Sequence, residues 1–196
     1  ILGSTGSIGK DLVDIISKDK KNFEVVLLTT NQNTKTLLKQ AKYLKAKNII
    51  VTDKKEYLLI KNKIKKVNIF SNFNQLDKIF KSKVDYIMSA ISGIDGLEPT
   101  FRSIKHTKKI AIANKESIIC AWNILSKELK KNKTKFIPVD SEHFSIWSVL
   151  KNIHNKNIDQ IFITASGGPF YKLPLSKFSQ IKVKDAIKHP NWSMGK

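Results

Sequence analysis

The chain has 196 residues, of which 41% are hydrophobic and 27% charged, enough for one ample core or for one domain and the start of another. No apolar run reaches the ~18 residues that a membrane helix needs, so no membrane-spanning helix is expected. The formal net charge of +20 invites a nucleic-acid reading, but of 36 lysines and arginines only Arg102 is an arginine, and the lysines are scattered over every predicted helix and loop. Specific nucleic-acid readers exploit clustered, bidentate guanidinium groups, so the lysines read as a solvated exterior that favours anionic ligands, biased by an AT-rich genome.

In chain order, Ile1-Leu2-Gly3-Ser4-Thr5-Gly6-Ser7-Ile8-Gly9 reads as the end of a buried strand, a glycine turn and the start of a helix. Such a turn lets the backbone approach a dinucleotide's pyrophosphate, with the positive end of the following helix facing the anion. An ordinary strand-to-helix turn has the same residues. The context favours the first reading: Ile8, Leu12, Val13, Ile15 and Ile16 are apolar at helical spacing, and Phe23–Leu28 supplies a second strand, completing a β-α-β unit. After that strand stands Thr29-Thr30-Asn31-Gln32-Asn33, with no carboxylate to repel a 2′-phosphate, which points to NADP rather than NAD.

Further strands are predicted at Asn48–Val51, Val67–Phe70, Val84–Ala90, Lys109–Ala113, Lys135–Val139 and Gln160–Thr164. Helices are predicted at Thr34–Leu44, Glu56–Lys65, Asn74–Phe80, Leu97–Thr107, Ser117–Lys130 and Phe144–Ile153. Strict alternation through residue 139 implies an α/β fold with a doubly wound, mostly parallel sheet. The basic stretch from Lys130 to Lys135 reads as a surface loop, with a domain junction close to Pro138. Cys120, the single cysteine, forbids an internal disulfide, fits a reducing cytoplasm and reads as a small apolar group on a helix face.

Ala113-Asn114-Lys115-Glu116-Ser117 follows a strand and opens a helix, at the carboxyl end of a sheet where ligands of such folds bind. Helix capping by Asn114 is the alternative, although Lys115 at a positive helix end calls for an anion beside it. In Pro138-Val139-Asp140-Ser141-Glu142-His143 the carboxylates of Asp140 and Glu142 are two apart and suit a hard divalent cation such as Mg²⁺ or Mn²⁺. Here too the alternative is a helix cap with an acid in the first turn, and His143 reads as a ligand, a proton carrier or a surface residue. Ala165-Ser166-Gly167-Gly168-Pro169-Phe170 offers backbone N–H groups and a hydroxyl to a phosphate or polyol, or makes a plain turn. In His189-Pro190-Asn191-Trp192-Ser193-Met194-Gly195, a Trp among turn-forming residues reads as a mobile lid or as a core anchor.

These five motifs, in this order and at this spacing, resemble those of the 1-deoxy-D-xylulose 5-phosphate reductoisomerase family over the whole chain, corresponding to about the first half of the family's protein. The chain, which starts within its first strand and stops after Gly195-Lys196, is accordingly expected to be a fragment, inactive alone. The resemblance implies an NADPH-binding, Rossmann-like domain over residues 1–138 and the start of a second α/β catalytic domain, metal- and substrate-binding, over 139–196. It implies metal-assisted rearrangement of 1-deoxy-D-xylulose 5-phosphate and NADPH-dependent reduction to 2-C-methyl-D-erythritol 4-phosphate, in a homodimer located in the cytoplasm unless a plastid leader lies upstream.

By the same resemblance, Thr5, Gly6, Ser7, Ile8, Asn31, Gln32, Asn33, Asn114, Glu116 and Gly195 would hold NADPH. Lys115, Ser141, Glu142, Ser166, His189 and Trp192 would contact the small phosphorylated sugar substrate, with Lys115, Glu142 and His189 catalytic. Asp140 and Glu142 would bind Mg²⁺ or Mn²⁺. Family members often carry Gly-Lys-Asn where this chain has Asn31-Gln32-Asn33, so Gln32 replaces a cation at the 2′-phosphate. Another NADP-dependent reductase, of the semialdehyde or dihydrodipicolinate type, would explain the first β-α-β unit and leave Asp140 and Glu142 without a role; a basic nucleic-acid-binding module would explain the charge alone.

Overall fold

A computed structural model describes residues 1–62, 66–164 and 167–188. The chain divides into two compact units, Ile1–Trp147 and Ser148–Lys196.

In the first unit, helix α1 (Ser7–Lys18) follows the glycine turn and leads to β1 (Leu27–Thr30), α2 (Thr34–Leu44), β2 (Asn48–Val51), α3 (Lys54–Ile60) and β3 (Asn68–Phe70). Then come α4 (Leu76–Ile79), β4 (Val84–Ser89), α5 (Leu97–Ser103), β5 (Thr107–Ile112), α6 (Lys115–Lys131), β6 (Lys135–Pro138) and the start of α7 (Ser141–Leu150), whose last three residues are counted in the second unit. Every strand pair is parallel, in the orders β1-β2-β3 and β4-β5-β6.

Residues 1–3 join the two halves. The Leu2 N–H donates to Met88 O (2.8 Å) and the Ala90 N–H to Leu2 O (2.9 Å), while the Thr29 N–H donates to Ile1 O (3.2 Å) and the Ser4 N–H to Thr29 O (2.9 Å). Leu2 is thus bridged in parallel to Ser89 of β4, while Ile1 and Ser4 on either side of it bond to Thr29 of β1, and the strand order runs outward in both directions from this segment. That reversal is the topological switch point, the place where open α/β sheets bind ligands.

Adjacent strand residues feed opposite faces, as the period of two requires. Leu27 and Ile50 join a core cluster with Leu76 of α4 and Ala121, Leu125 and Leu129 of α6. Leu28 and Ile49 join a second cluster with Ile16 of α1, Leu37 of α2 and Ile60 of α3. Helices thus cover both faces, and the doubly wound expectation holds.

Several boundaries differ from the sequence reading. β1 runs over Leu27–Thr30 rather than Phe23–Leu28, because Thr29 and Thr30 are buried strand residues whose hydroxyls bond to the glycine turn. The helix expected through Thr107 gives way to β5, which starts there, and the basic loop shortens because α6 continues to Lys131. Cys120 lies exposed on α6 rather than packed against an apolar face. Of the helix expected over Glu56–Lys65, the structure shows α3 ending at Ile60, and residues 63–65 lie outside the description.

In the second unit the described residues include a 3₁₀ helix at Leu175–Gln180, a short α8 (Val183–Ala186) and a contact between the Phe170 and Phe178 rings at 6.3 Å. The strand expected at Gln160–Thr164 does not form: Phe162 and Ile163 are 80% and 69% exposed, and no described residue pairs with this segment. A strand's backbone groups need a neighbour, and an apolar run alone does not supply one.

Candidate active site

The glycine turn is built by sterics. Gly3 has φ +76, and a Cβ there would stand 2.7 Å from Ala90 O; a Cβ on Gly9 would stand 2.2 Å from Gly3 O. Both positions therefore require glycine, the first for the turn and the second for the close approach of α1 to the strand. Gly6 differs: it is the N-cap of α1 at φ −74, and a Cβ there would be no closer than 3.4 Å to Gly3 O. What Gly6 leaves open is space outside the fold. No acidic side chain stands in the first turn of α1 and no side chain caps it, so its positive end faces that space.

Neighbouring polar groups hold the turn in shape. Ser4 Oγ donates to Gln40 Oε1 (2.8 Å) while Gln40 Nε2 donates to Ser4 O (2.8 Å), tying the turn to α2. The Gly3 N–H donates to Thr29 Oγ1 (2.8 Å), and Thr5 and Thr30 share a hydroxyl hydrogen bond of 2.6 Å. Sequence reading assigned no role to Gln40, Thr29 or Thr30; all three are buried polar residues, which in itself asks for such partners.

A cleft of about 640 Å³ opens over this turn. It is lined by Gly3, Thr5 and Gly6, by Thr30, Asn31 and Thr52 at the ends of β1 and β2, and by residues 71–74 beyond β3; Ala90, Ile91 and Ser92 form another wall. The same three residues also line a smaller cleft of about 230 Å³ together with Ile8, Asn114, Lys115 and Glu116. The structure thus gathers Thr5, Gly6, Ile8, Asn31, Asn114, Lys115 and Glu116 around one wall.

Asn114 is 2% exposed and its side-chain amide is fully engaged. Its Oδ1 accepts from the Ser117 N–H (2.7 Å), capping α6, and its Nδ2 donates to Gly93 O (2.6 Å) and Ile91 O. The cap and the pinning of the 91–93 wall are one interaction set. Asn33 likewise caps α2 through the Thr36 N–H (3.1 Å). Gln32 is exposed and donates from Nε2 to Asp53 Oδ2 at 3.2 Å.

Beyond β5 and β6, Lys115 in the first turn of α6 and Glu142 in the first turn of α7 approach to 3.5 Å. Glu142 is the anion that a lysine at a helix N-terminus calls for. Its own backbone N–H, the Ser141 hydroxyl (3.0 Å) and Lys115 hold the Glu142 carboxyl below its usual range. Asp140 Oδ1 accepts from the His143 N–H (2.7 Å) and lies 2.8 Å from His143 Nδ1, so Asp140 does cap α7. Burial pushes the Asp140 carboxyl up, but the His143 N–H and ring, with Lys115, outweigh it and keep the group below the usual carboxylate range.

Two ionised carboxylates beside a lysine have the hard oxygen chemistry of a Mg²⁺ or Mn²⁺ site. Two are fewer than such an ion needs, and among the described residues no group of three His, Cys, Asp or Glu side chains is placed to hold a metal. Asp140 and Glu142 have the donor chemistry of part of such a shell, and the described residues do not complete it. Ser166, His189, Trp192 and Gly195 lie outside the described residues; beside Ser166, Gly167 and Gly168 take φ +77 and +67.

Residues 1–122 match the family model described as 1-deoxy-D-xylulose 5-phosphate reductoisomerase, and residues 136–196 match the model of that enzyme's C-terminal domain. The chain is 60% identical over 200 residues to the 1-deoxy-D-xylulose 5-phosphate reductoisomerase of Pelagibacter ubique, covering 100% of this chain and 52% of that protein. It is 41% identical over 199 residues to that of Wolbachia pipientis subsp. Culex pipiens, covering 51% of the relative. Among solved structures, the Zymomonas mobilis 1-deoxy-D-xylulose 5-phosphate reductoisomerase in complex with NADPH superposes with a TM-score of 0.87 at 33% identity, covering 96% of this chain and 50% of that one. A reductoisomerase in complex with NADPH, fosmidomycin and magnesium superposes with a TM-score of 0.81 at 30% identity, over 99% of this chain and 51% of that one. The chain spans about half the length of the relatives it matches.

Proposed function

The chain belongs to the 1-deoxy-D-xylulose 5-phosphate reductoisomerase family, and on that premise we propose that it supplies the dinucleotide site and part of the catalytic site for converting 1-deoxy-D-xylulose 5-phosphate to 2-C-methyl-D-erythritol 4-phosphate. In this reading residues 1–138 hold NADPH and residues 139–196 begin the metal- and substrate-binding domain. The observation that carries it is the shared wall of residues 90–92, with the glycine turn on one side and Asn114, Lys115 and Glu116 on the other.

The backbone of the Gly3–Gly6 turn and the first N–H groups of α1, including those of Ser7 and Ile8, receive the pyrophosphate. Asn31, Gln32 and Asn33 border the adenosine ribose; Asn114 fixes the wall beside the nicotinamide end, with Glu116 next to it, and Gly195 would be a further cofactor contact. Lys115 supplies a positive charge to an anionic oxygen of the substrate, and the Ser141 hydroxyl orients the Glu142 carboxylate. Ser166, His189 and Trp192 complete the substrate contacts, His189 as a catalytic group. Asp140 and Glu142 would hold Mg²⁺ or Mn²⁺, which when bound polarises substrate oxygens for rearrangement and reduction. NADPH supplies the hydride.

Homodimeric assembly and a cytoplasmic location belong to the same reading; an exposed Cys120 without an internal disulfide partner suits a reducing compartment. Among the described residues no helix is long and apolar enough to cross a membrane. A different reductase would leave the Asp140 and Glu142 carboxylates without a catalytic role, and a nucleic-acid-binding module would account for the charge alone. The test is substrate-dependent NADPH oxidation by the complete protein in Mg²⁺: consumption of one NADPH per substrate is expected, and NADPH binding without any turnover of 1-deoxy-D-xylulose 5-phosphate would contradict the reading.

A further inference from the structure

The residues immediately after β1 contain no acid, yet the fold brings one to them. β1 and β2 pair in parallel up to Thr30 and Val51. The ladder then continues one step: the Thr52 N–H donates to Thr30 O (3.1 Å) and the Asp53 N–H to Asn31 O (3.2 Å). This places Asp53 beside the Asn31-Gln32-Asn33 turn, where Gln32 Nε2 donates to Asp53 Oδ2 (3.2 Å) and Thr52 Oγ1 to Asn31 Oδ1 (3.3 Å). Asn31 and Thr52 line the large cleft at this end. In a β-α-β dinucleotide site, the end of the second strand is where the adenosine ribose and any 2′-phosphate lie.

We propose that Asp53, coupled to Gln32, is a cofactor-specificity determinant of this protein, repelling a 2′-phosphate and so narrowing the preference for NADPH over NADH. The proposal rests on the dinucleotide reading of the cleft. Gln32 does not offset the charge, because its amide is neutral and one of its two N–H donors is already turned toward Asp53. Asp53 is held ionised, first by the Glu56 N–H and then by the Gln32 amide, with Lys55 also beside it. A second carboxylate, Glu56, faces the same turn through a 2.6 Å hydrogen bond from Thr34 Oγ1. The effect is of moderate size, because the group is solvated and screened.

Asp53 also caps α3 by accepting from the Glu56 N–H (2.9 Å). Asn and Ser cap as well as Asp, so Asp53→Asn and Asp53→Ser remove the charge while keeping the helix start. The experiment titrates the complete protein and both variants with NADPH, NADH, 2′,5′-ADP and 5′-AMP. Both variants should bind the two 2′-phosphorylated ligands about threefold more tightly, a gain that shrinks in high salt, with NADH and 5′-AMP affinities unchanged. Unchanged ratios in both variants would overturn the role of Asp53 while leaving the dinucleotide site standing. Failure of the parent protein to bind any of the four ligands would overturn the dinucleotide reading itself, and this proposal with it.

Discussion

Lys115 Nζ lies 3.5 Å from Glu142 Oε2, which sets the first turn of α6 against the first turn of α7 beyond the carboxyl ends of β5 and β6. Both side chains are about half exposed, 54% for Lys115 and 41% for Glu142, so the pair adds little to stability. Its significance is position. A cation at the positive end of α6 is kept there by a carboxylate that arrives from a different helix, beside the wall that borders the cleft over the glycine turn.

Lys115→Met is therefore expected to change stability by no more than about 0.5 kcal/mol, as for an exposed ion pair, while lowering turnover by about a hundredfold or more through loss of the positive charge. Thermal unfolding and steady-state rates on the same preparation check this. Wild-type turnover in Lys115→Met would remove the residue from the site.

The glycines divide into two kinds. Gly6→Val should leave the fold intact, since a Cβ there meets Gly3 O at an ordinary contact distance of 3.4 Å, and should abolish NADPH binding by filling the space over the turn. Gly9→Ala forces a Cβ to 2.2 Å from Gly3 O and should destabilise by at least about 2 kcal/mol. Denaturant unfolding with an NADPH titration separates them; tight NADPH binding by Gly6→Val would contradict the assignment of the turn.

Asn114→Ala should cost about 2–4 kcal/mol, because the α6 cap is lost and the carbonyls of Ile91 and Gly93 lose their donor. Asn114→Ser retains the cap but not the donor. It should recover part of the stability and still bind NADPH weakly, since residues 91–93 are no longer held. Equal NADPH affinity in Asn114→Ser and the parent would show that the wall does not depend on this amide.

The parallel, doubly wound sheet was legible because strand and helix periodicities alternate cleanly, and Asn48–Val51 and Thr34–Leu44 fall where the pattern places them. What was not legible has physical causes. Thr29 and Thr30 look like a loop start until the glycine turn supplies partners for their hydroxyls. The helix at Lys115 extends earlier than predicted because Asn114 caps it. Ile161-Phe162-Ile163 reads as a strand by composition, but pairing is a property of two segments, and no described residue pairs with this one. Of the site, the motifs gave the residues around the glycine turn and the Lys115–Glu142 neighbourhood. Gln40 and the Asp53–Gln32 contact were not legible because they form only through long-range pairing.

His106 is buried, its ring lies 5.2 Å from that of Phe80, and its Nε2 has no hydrogen-bond partner among the described residues, with Asp77 Oδ1 at 3.5 Å. Burial, and then Lys105, push its pKa below the ordinary value, with Asp77 opposing. The unfolded chain thus takes up the proton first, so stability should be full above about pH 6.5 and decline as the pH falls below it. His106→Gln should flatten that part of the melting-temperature profile. A decline of the same slope in the variant would place its origin in another group.

The central claim is that Asp140 and Glu142 act on a metal rather than only starting a helix, and Asp140→Asn in the complete protein tests it most directly. Asn caps a helix as well as Asp does, so the melting temperature should fall only slightly, from the lost charge beside His143 and Lys115, and NADPH affinity should stay unchanged. Turnover of 1-deoxy-D-xylulose 5-phosphate, measured against Mg²⁺ concentration, should fall by about a hundredfold or more and need far more Mg²⁺, because a hard cation loses one of its anionic ligands. Parental turnover with the parental Mg²⁺ dependence would contradict the account and leave Asp140 as a helix cap alone.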